Sequence, residues 1–497
     1  MLFNRTFHPD EANQAFTTGR LLETGKYAYQ PQDHHGPTLY YAAASIQKAA
    51  GHNNTASLDG TLLRCTPLVF AVLALVFGFA AIKRLTKRLI PGLAFVLLLG
   101  TSPFFAFFAT DFIQEVLLTC FLLMMFWTGV GYLHPGRKWK TGTWALLFGT
   151  AAALAFATKE TCLISFFAAG LAAAPFLVKR VTRDKLRARA RDAVLAVLGF
   201  VIISFVLYSD FGRDFHGVYN AFIAAPLSYL RRGVGDATTS TGANWHVHPW
   251  WQYLHWLYAR TPGLLLLFPL AAAAALATCR RAIQTTFSAF RFTFLYALAT
   301  FAIYSLVPYK TPWCAVQLEA ALVLATVLGL ASLASALPRC RWMPVTVLPA
   351  LLLACGNVPT LVQMNRNPDD TGNPCNYAAA SPEVKELAAT VAAAMESAAN
   401  RDNPEPPFVA VALPDADIWP FPWYNRTLER RTGYWQTFED LVQLQKAGVK
   451  PTVVIVPMEE GHLVQPLFPH LKHTKRFYMR PRIPERKVRG VRVRLFW

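Results

Sequence analysis

The sequence predicts an all-α polytopic membrane bundle of about ten transmembrane helices carrying a small C-terminal α/β domain. Three observations predict it. Of the 497 residues 54% are hydrophobic and only 15% are charged. Apolar segments follow one another from about Leu62 to Gln363, most near the roughly 18–20 residues that cross a hydrocarbon core. Beyond Gln363 the composition turns polar and then yields short β-branched runs separated by helix-like stretches.

Residues 1–61 are polar and mixed, with helix-like stretches around Glu11–Glu23 and Leu39–Ala50, and read as an extramembrane loop with surface helices. The expected spans are Leu62–Ile82, Pro91–Ala109, Glu115–Leu133, Thr143–Thr158, Glu160–Val178, Ala193–Ser209, Pro262–Thr278, Phe292–Pro308, Cys314–Ala336 and Met343–Val362. One polar notch, Thr158-Lys159-Glu160, divides the fourth from the fifth. Within this bundle, residues 62–363, the long loop 210–261 is rich in tryptophan (Trp245, Trp250, Trp251, Trp256), which favours the membrane–water boundary; its Gly233–Gly242 tract reads as flexible. Residues 364–497 form the last domain. Asn365–Pro374 is a linker, Ser381 with Glu383 and Glu386 starts a helix, Phe408–Leu413 and Thr452–Val456 are strands, and Phe438–Ala447 is a helix. Lys472–Arg494 reads as an Arg-rich strand pair, or as a contact for anionic lipid.

The net charge of +19 raises a nucleic-acid reading, and the placement of the charge excludes it. Lys and Arg crowd alternate loops: Lys83-Arg84 with Lys87-Arg88, Arg137-Lys138, the run Lys179–Arg191, Arg280-Arg281, and Arg339 with Arg341. The intervening loops hold almost none. This is the positive-inside pattern, which puts the basic loops in the cytoplasm of a multi-pass protein of the cell inner membrane. Residues 1–61, the loop 210–261 and the tail then share the extracytoplasmic face. Such a placement leads us to expect a further span upstream of Met1. The eight cysteines show no CxxC or Cys/His metal spacing.

His8-Pro9-Asp10-Glu11 is the first chemical candidate. Two carboxylates ahead of a helix suit the helix dipole, yet the segment continues through Arg20, Tyr27 and His34-His35-Gly36-Pro37-Thr38-Leu39-Tyr40-Tyr41. That density of ionisable and aromatic groups suits a polar pocket, in which one carboxylate takes a proton from an acceptor nucleophile. Glu115, preceded by Asp111, offers a second acidic wall, or a polar cap on a span. Arg64, Lys159 and Lys310 sit at span ends on that same face, where a lone basic residue snorkels and several together can hold a lipid-linked phosphate. Glu319, inside its helix, is the main charge within a span. There is no phosphate-cradling glycine motif, GxSxG or HExxH.

The run from His8-Pro9-Asp10-Glu11-Ala12 to Gly36-Pro37-Thr38-Leu39-Tyr40 resembles the first outer loop of GT-C membrane glycosyltransferases. The likeness is to the protein O-mannosyltransferase/aminoarabinose-transferase (glycosyltransferase family 39-like) superfamily, nearest its flippase-activity-associated branch. Phe112-Ile113-Gln114-Glu115, Ala157-Thr158-Lys159-Glu160, Pro308-Tyr309-Lys310-Thr311-Pro312-Trp313 and Trp419-Pro420-Phe421-Pro422-Trp423-Tyr424 fit it too. The resemblance implies a sugar transferred from a polyprenyl-phosphate donor to an acceptor glycan or protein on the extracytoplasmic face, among membrane lipids and without nucleic acid. It implies Asp10 as catalytic base beside Glu11, Glu115 as the second-loop acid, and Arg64, Lys159 and Lys310 at the donor phosphate. His34, His35 and Trp313 join the substrate site. A divalent metal is compatible with this set and not required by it. Relatives carry an arginine ahead of the second-loop acid where this chain has Thr110-Asp111. The branch also implies an alternative, a non-catalytic protein that binds lipid-linked sugars and serves a flippase partner.

Overall fold

The structure, a computed structural model, describes every residue except 1–4, 33, 135–139, 177–182, 229–245, 339–340, 368–369, 378, 400–405 and 481–489. Trp245, the Gly233–Gly242 tract, the basic residues Arg137, Lys138, Lys179 and Arg339, and part of the Lys472–Arg494 stretch lie outside the described residues.

The first loop folds into two helices, Pro9–Thr24 and Thr38–Ala49. Local chemistry dictates the first of them. Pro9 presets the backbone angle, the His8 ring accepts the Asp10 amide, and the Glu11 carboxylate accepts the His8 amide, closing a capping box. Gly25 ends the helix at φ 65°. The second helix docks on the turn at 157–161: Thr38 donates its amide to the Ala157 carbonyl at 3.2 Å. A Cβ on Gly36 would lie 2.3 Å from that same carbonyl oxygen, so only glycine permits the approach.

Every expected span is helical, but not every one is a single long helix. Among the described residues six helices are long and apolar enough to cross a membrane: Gly60–Thr86, Glu115–Leu133, Arg189–Tyr208, Gln284–Leu306, Pro312–Ser335 and Trp342–Arg366. A seventh crossing is obtained if Gln252–Arg260 and Pro262–Ala277, bent by 105°, count as one. Thr141–Phe156 and Cys162–Phe176 are shorter, separated at the notch the sequence shows. The expected span Pro91–Ala109 divides into Ile90–Gly100 and Pro103–Phe108, because Pro103 has no amide to continue the first helix.

Pro312–Ser335 is enclosed on all sides. Its alanines and Gly329 let neighbours close in; the Ala271 carbonyl stands 3.2 Å from where a Gly329 Cβ would be. Val69, Val72 and Val76, and Leu348 and Leu352, point outward from their helices as an apolar face for lipid. In the long loop Trp250 is exposed while Trp256 is buried.

The tail holds a five-stranded sheet, order β2-β1-β3-β5-β4, with β1 Val409–Ala412, β2 Thr432–Trp435, β3 Val453–Pro457, β4 Thr474–Arg480 and β5 Val491–Phe496. β1 pairs in parallel with β2 and β3, while β5 runs antiparallel to β3 and β4. Helix Glu383–Ala399 packs on one face, and Phe438–Lys446 with Gly461–Leu467 on the other. Along β5, Val491, Val493 and Leu495 turn inward while Arg492 is exposed, the alternation of a half-buried strand. β2 alone among the strands has no signal in the sequence reading.

Candidate active site

The loops expected on the outer face meet at one end of the bundle. Glu11 is their junction. Arg64 donates from Nε to Glu11 Oε1 at 2.8 Å and from Nη2 to Oε2 at 2.6 Å, a bidentate pair. The Phe112 amide donates to the same carboxylate at 2.9 Å, tying the first loop to the second. Burial raises the Glu11 pKa, but the charge and hydrogen bonds of Arg64, with Arg5 and the Phe112 amide, together outweigh it and hold the group down at about 2. Glu11 and Arg64 therefore occupy each other.

Asp10, one residue earlier, faces the other way and keeps about half of its side chain exposed. Its neighbour His8 has a defined proton. Nε2 lies 2.9 Å from the Tyr377 carbonyl and must donate, while Nδ1 accepts the Asp10 amide at 3.1 Å. The ring is thus neutral, and the 3.8 Å approach of Nδ1 to Asp10 Oδ2 is no ion pair. Asp10 opens on a recess of about 250 Å³, part of it open solvent, lined also by His8, Glu11, Phe108, Asp111, Ile113, Trp313 and Cys375. A second hollow shares His8, Glu11, Asp111 and Cys375 with it and adds Arg5, Thr6, Phe107, Asn376 and Ala379. The shared walls make the two one recess. Arg5 pairs with Asp111 and lies 3.8 Å over the Phe107 ring. Burial, with Glu11 nearby and despite Arg5, pushes Asp111 up to about 6.

Of the residues singled out from sequence, Asp10, Glu11 and Trp313 line this recess, with His8 and Asp111 beside them; Glu115, Lys159, Lys310, Arg64, His34 and His35 do not. Glu115 is buried in an ion pair with Lys159. Lys310 donates its side chain to the Val307 carbonyl and its amide to the His246 carbonyl at 2.7 Å. His35 Nδ1 lies 2.7 Å from Glu160 Oε2, an acid that Tyr29 also reaches. His34 packs edge-on to Tyr27, Tyr29 and Tyr40. Glu115, Lys159, His35 and Lys310 share one physical reason: polar groups at closely packed helix ends find partners in the turns beside them. Trp419 and Trp423 are likewise anchors rather than platforms for sugar. Trp423 stacks on Phe7 at 4.6 Å beneath Arg426, and Trp419 meets Phe16 edge-on.

The sequence reading missed Arg5 and Cys375 as walls, and Tyr377 as the residue whose carbonyl holds His8. Only the arginine had a visible signal, as a cation just upstream of His8-Pro9-Asp10-Glu11. His246, beside Tyr309 and Tyr377, is pushed by burial down to about 4 against the pull of Asp10, so it too is neutral. Among the described residues no three His, Cys, Asp or Glu side chains gather in a way that would hold a metal ion.

A family model described as dolichyl-phosphate-mannose-protein mannosyltransferase matches residues 34–208. No curated protein sequence gives a significant match. Among solved structures, the chain is similar to ArnT from Cupriavidus metallidurans bound to undecaprenyl phosphate, with TM-score 0.66 and 14% identity, covering 100% of this chain and 95% of that one. The apo state of ArnT gives TM-score 0.62 at 14% identity, over 100% and 94% of the two chains. Archaeal oligosaccharyltransferase AglB from Archaeoglobus fulgidus, in complex with an inhibitory peptide and a dolichol-phosphate, gives 0.56 at 12% identity, over 92% of this chain and 66% of its own. Along its whole length the chain thus shares the fold of ArnT, and residues 34–208, from the first loop through the following helices, match the mannosyltransferase family model.

Proposed function

We propose that the protein transfers a sugar from a polyprenyl-phosphate donor to an acceptor hydroxyl on the extracytoplasmic face of the membrane, with Asp10 as general base. One observation carries the reading: among the described residues Asp10 is the carboxylate in the recess that no cation neutralises, whereas Glu11 and Glu115 are each held in a buried ion pair. Asp10 takes the proton of the acceptor hydroxyl as its oxygen attacks the anomeric carbon, and the bond from that carbon to the phosphate oxygen breaks with inversion. Both oxygens of Glu11 are spent on Arg64, so Glu11 holds the first and second loops in place and Asp10 does the chemistry. Glu115 and Lys159 fix the adjoining turn in the same manner. Trp313, edge-on to His8 at 5.9 Å, forms an apolar wall suited to a sugar face.

The solved relatives support the donor class, since one holds undecaprenyl phosphate and another dolichol-phosphate. The positive-inside pattern supports the extracytoplasmic side for the recess. The test is transfer of labelled sugar from polyprenyl-phosphate donors by purified wild-type protein and by Asp10→Asn. The amide keeps the shape and cannot take the proton, so the rate is expected to fall about 100-fold or more with unchanged thermal unfolding. Full activity of Asp10→Asn would remove Asp10 from the base role.

A further inference from the structure

A recess that releases a lipid phosphate needs a cation facing it, and the three basic residues the sequence offers are otherwise engaged. Arg64 is locked on Glu11, Lys159 on Glu115, and Lys310 on the Val307 carbonyl. Arg5 is differently placed. It lines the recess, and its polar contacts all run through one nitrogen: Nη2 donates to the Thr110 carbonyl at 3.2 Å, to Thr110 Oγ1 at 3.0 Å and to Asp111 Oδ1. Nη1 and Nε make no hydrogen bond among the described residues. Both forks of the guanidinium include Nη2, so two phosphate oxygens are matched once Asp111 leaves that nitrogen and Nη1 or Nε joins it.

Charge bookkeeping points the same way. Glu11 and Arg64 cancel, Arg5 and Asp111 cancel, and Asp10 remains, so an entering phosphate meets net negative charge unless one carboxylate gives way. Asp111 is the one able to do so. It faces Arg5, Glu11, Arg64 and His8, and it is the acid of this recess whose proton affinity is raised. Its neutralisation releases the Arg5 charge.

Resting on the lipid-phosphate reading above, we propose that Arg5 is the ligand of the donor's phosphate, and that the Asp111 carboxylate is a stand-in anion which the phosphate displaces. Arg5 comes from the segment before the first helix, so this segment closes the donor site together with the second outer loop. The Thr110 hydroxyl, already on Arg5, keeps the guanidinium in place during the exchange.

The experiment measures binding of undecaprenyl phosphate to the purified full chain in detergent, with the phosphate-free prenol as control. Wild type is expected to bind the phosphate and to prefer it to the prenol. Arg5→Gln should weaken phosphate binding by about 10- to 100-fold and leave prenol binding unchanged, the loss typical of a charge-assisted contact. Asp111→Asn, which removes the competing charge, should tighten phosphate binding. Opposite signs in the two variants are the signature, because a merely structural pair would weaken binding when either partner is lost. Equal weakening in both variants, or phosphate binding by Arg5→Gln equal to wild type, overturns the assignment while the donor class stands. Absence of any phosphate preference in wild type overturns the donor reading itself. Should Arg5→Gln fail to fold, the sign of the Asp111→Asn effect and the response to Arg5→Lys, which keeps charge without the fork, decide the matter.

Discussion

Asp10 and Glu11 are neighbours of identical charge type, and their roles differ because a helix turns about 100° per residue. One carboxylate goes inward to Arg64, the other outward to the recess. Breaking the inward pair leaves an uncompensated buried charge. Arg64→Ala is therefore expected to destabilise the protein by about 3–5 kcal/mol, read as a fall in thermal unfolding temperature in detergent. The pH dependence has a definite sign. Because the Glu11 pKa is lowered on folding from 4.5 to about 2, its contribution is fully present above the unfolded value and is lost as pH falls from about 4.5 toward 2. Glu11→Gln should flatten that part of the stability profile; an unchanged acid limb would contradict the pairing. The sequence showed the acidic pair and a basic residue at the first span, but not that they consume one another. Arg5 went unread for a related reason: 106 residues separate it from Asp111, and no local pattern couples them.

The helices are the legible part of the chain. Apolar length marked the spans and the Thr158-Lys159-Glu160 notch marked the fourth from the fifth, whereas the break at Pro103 in the second went unread. What hydropathy could not show is how a break is held. Glu319, buried in the enclosed Pro312–Ser335 helix, accepts the Phe105 amide at 2.8 Å and so satisfies a free donor at the start of Pro103–Phe108. That short helix carries Phe107 and Phe108 to the recess wall and leads directly to Asp111. Glu319→Ala is expected to cost about 1–3 kcal/mol, the penalty of an unpaired buried amide, and to lower donor affinity more than turnover. Glu319→Gln retains an acceptor oxygen and should recover most of both. Equal loss in the two variants would show that the carboxylate does something other than accept this bond.

At the scale of the molecule, the tail is a structural partner of the first loop. Tyr424 accepts the Phe7 amide at 2.8 Å, Arg426 donates to the Leu58 carbonyl at 3.0 Å, and the Tyr377 carbonyl fixes the His8 proton. Cys375 of the same tail lines the recess together with Trp313 of the bundle. The overall plan, a helical bundle followed by a sheet domain, was readable from composition, because lipid and water impose different residue patterns. The convergence of residues 5, 10, 111, 313 and 375 was not, since it depends on packing between distant segments.

Transfer by Asp10 requires the phosphate of a polyprenyl carrier to enter the recess beside it. A cryo-electron microscopy map of the protein with undecaprenyl phosphate bound tests this most directly. The expected density places the phosphate within hydrogen-bond reach of Arg5, on the Asp10 side of Trp313. Phosphate density at Lys159 and Glu115, or at Lys310 with the recess empty, would contradict it.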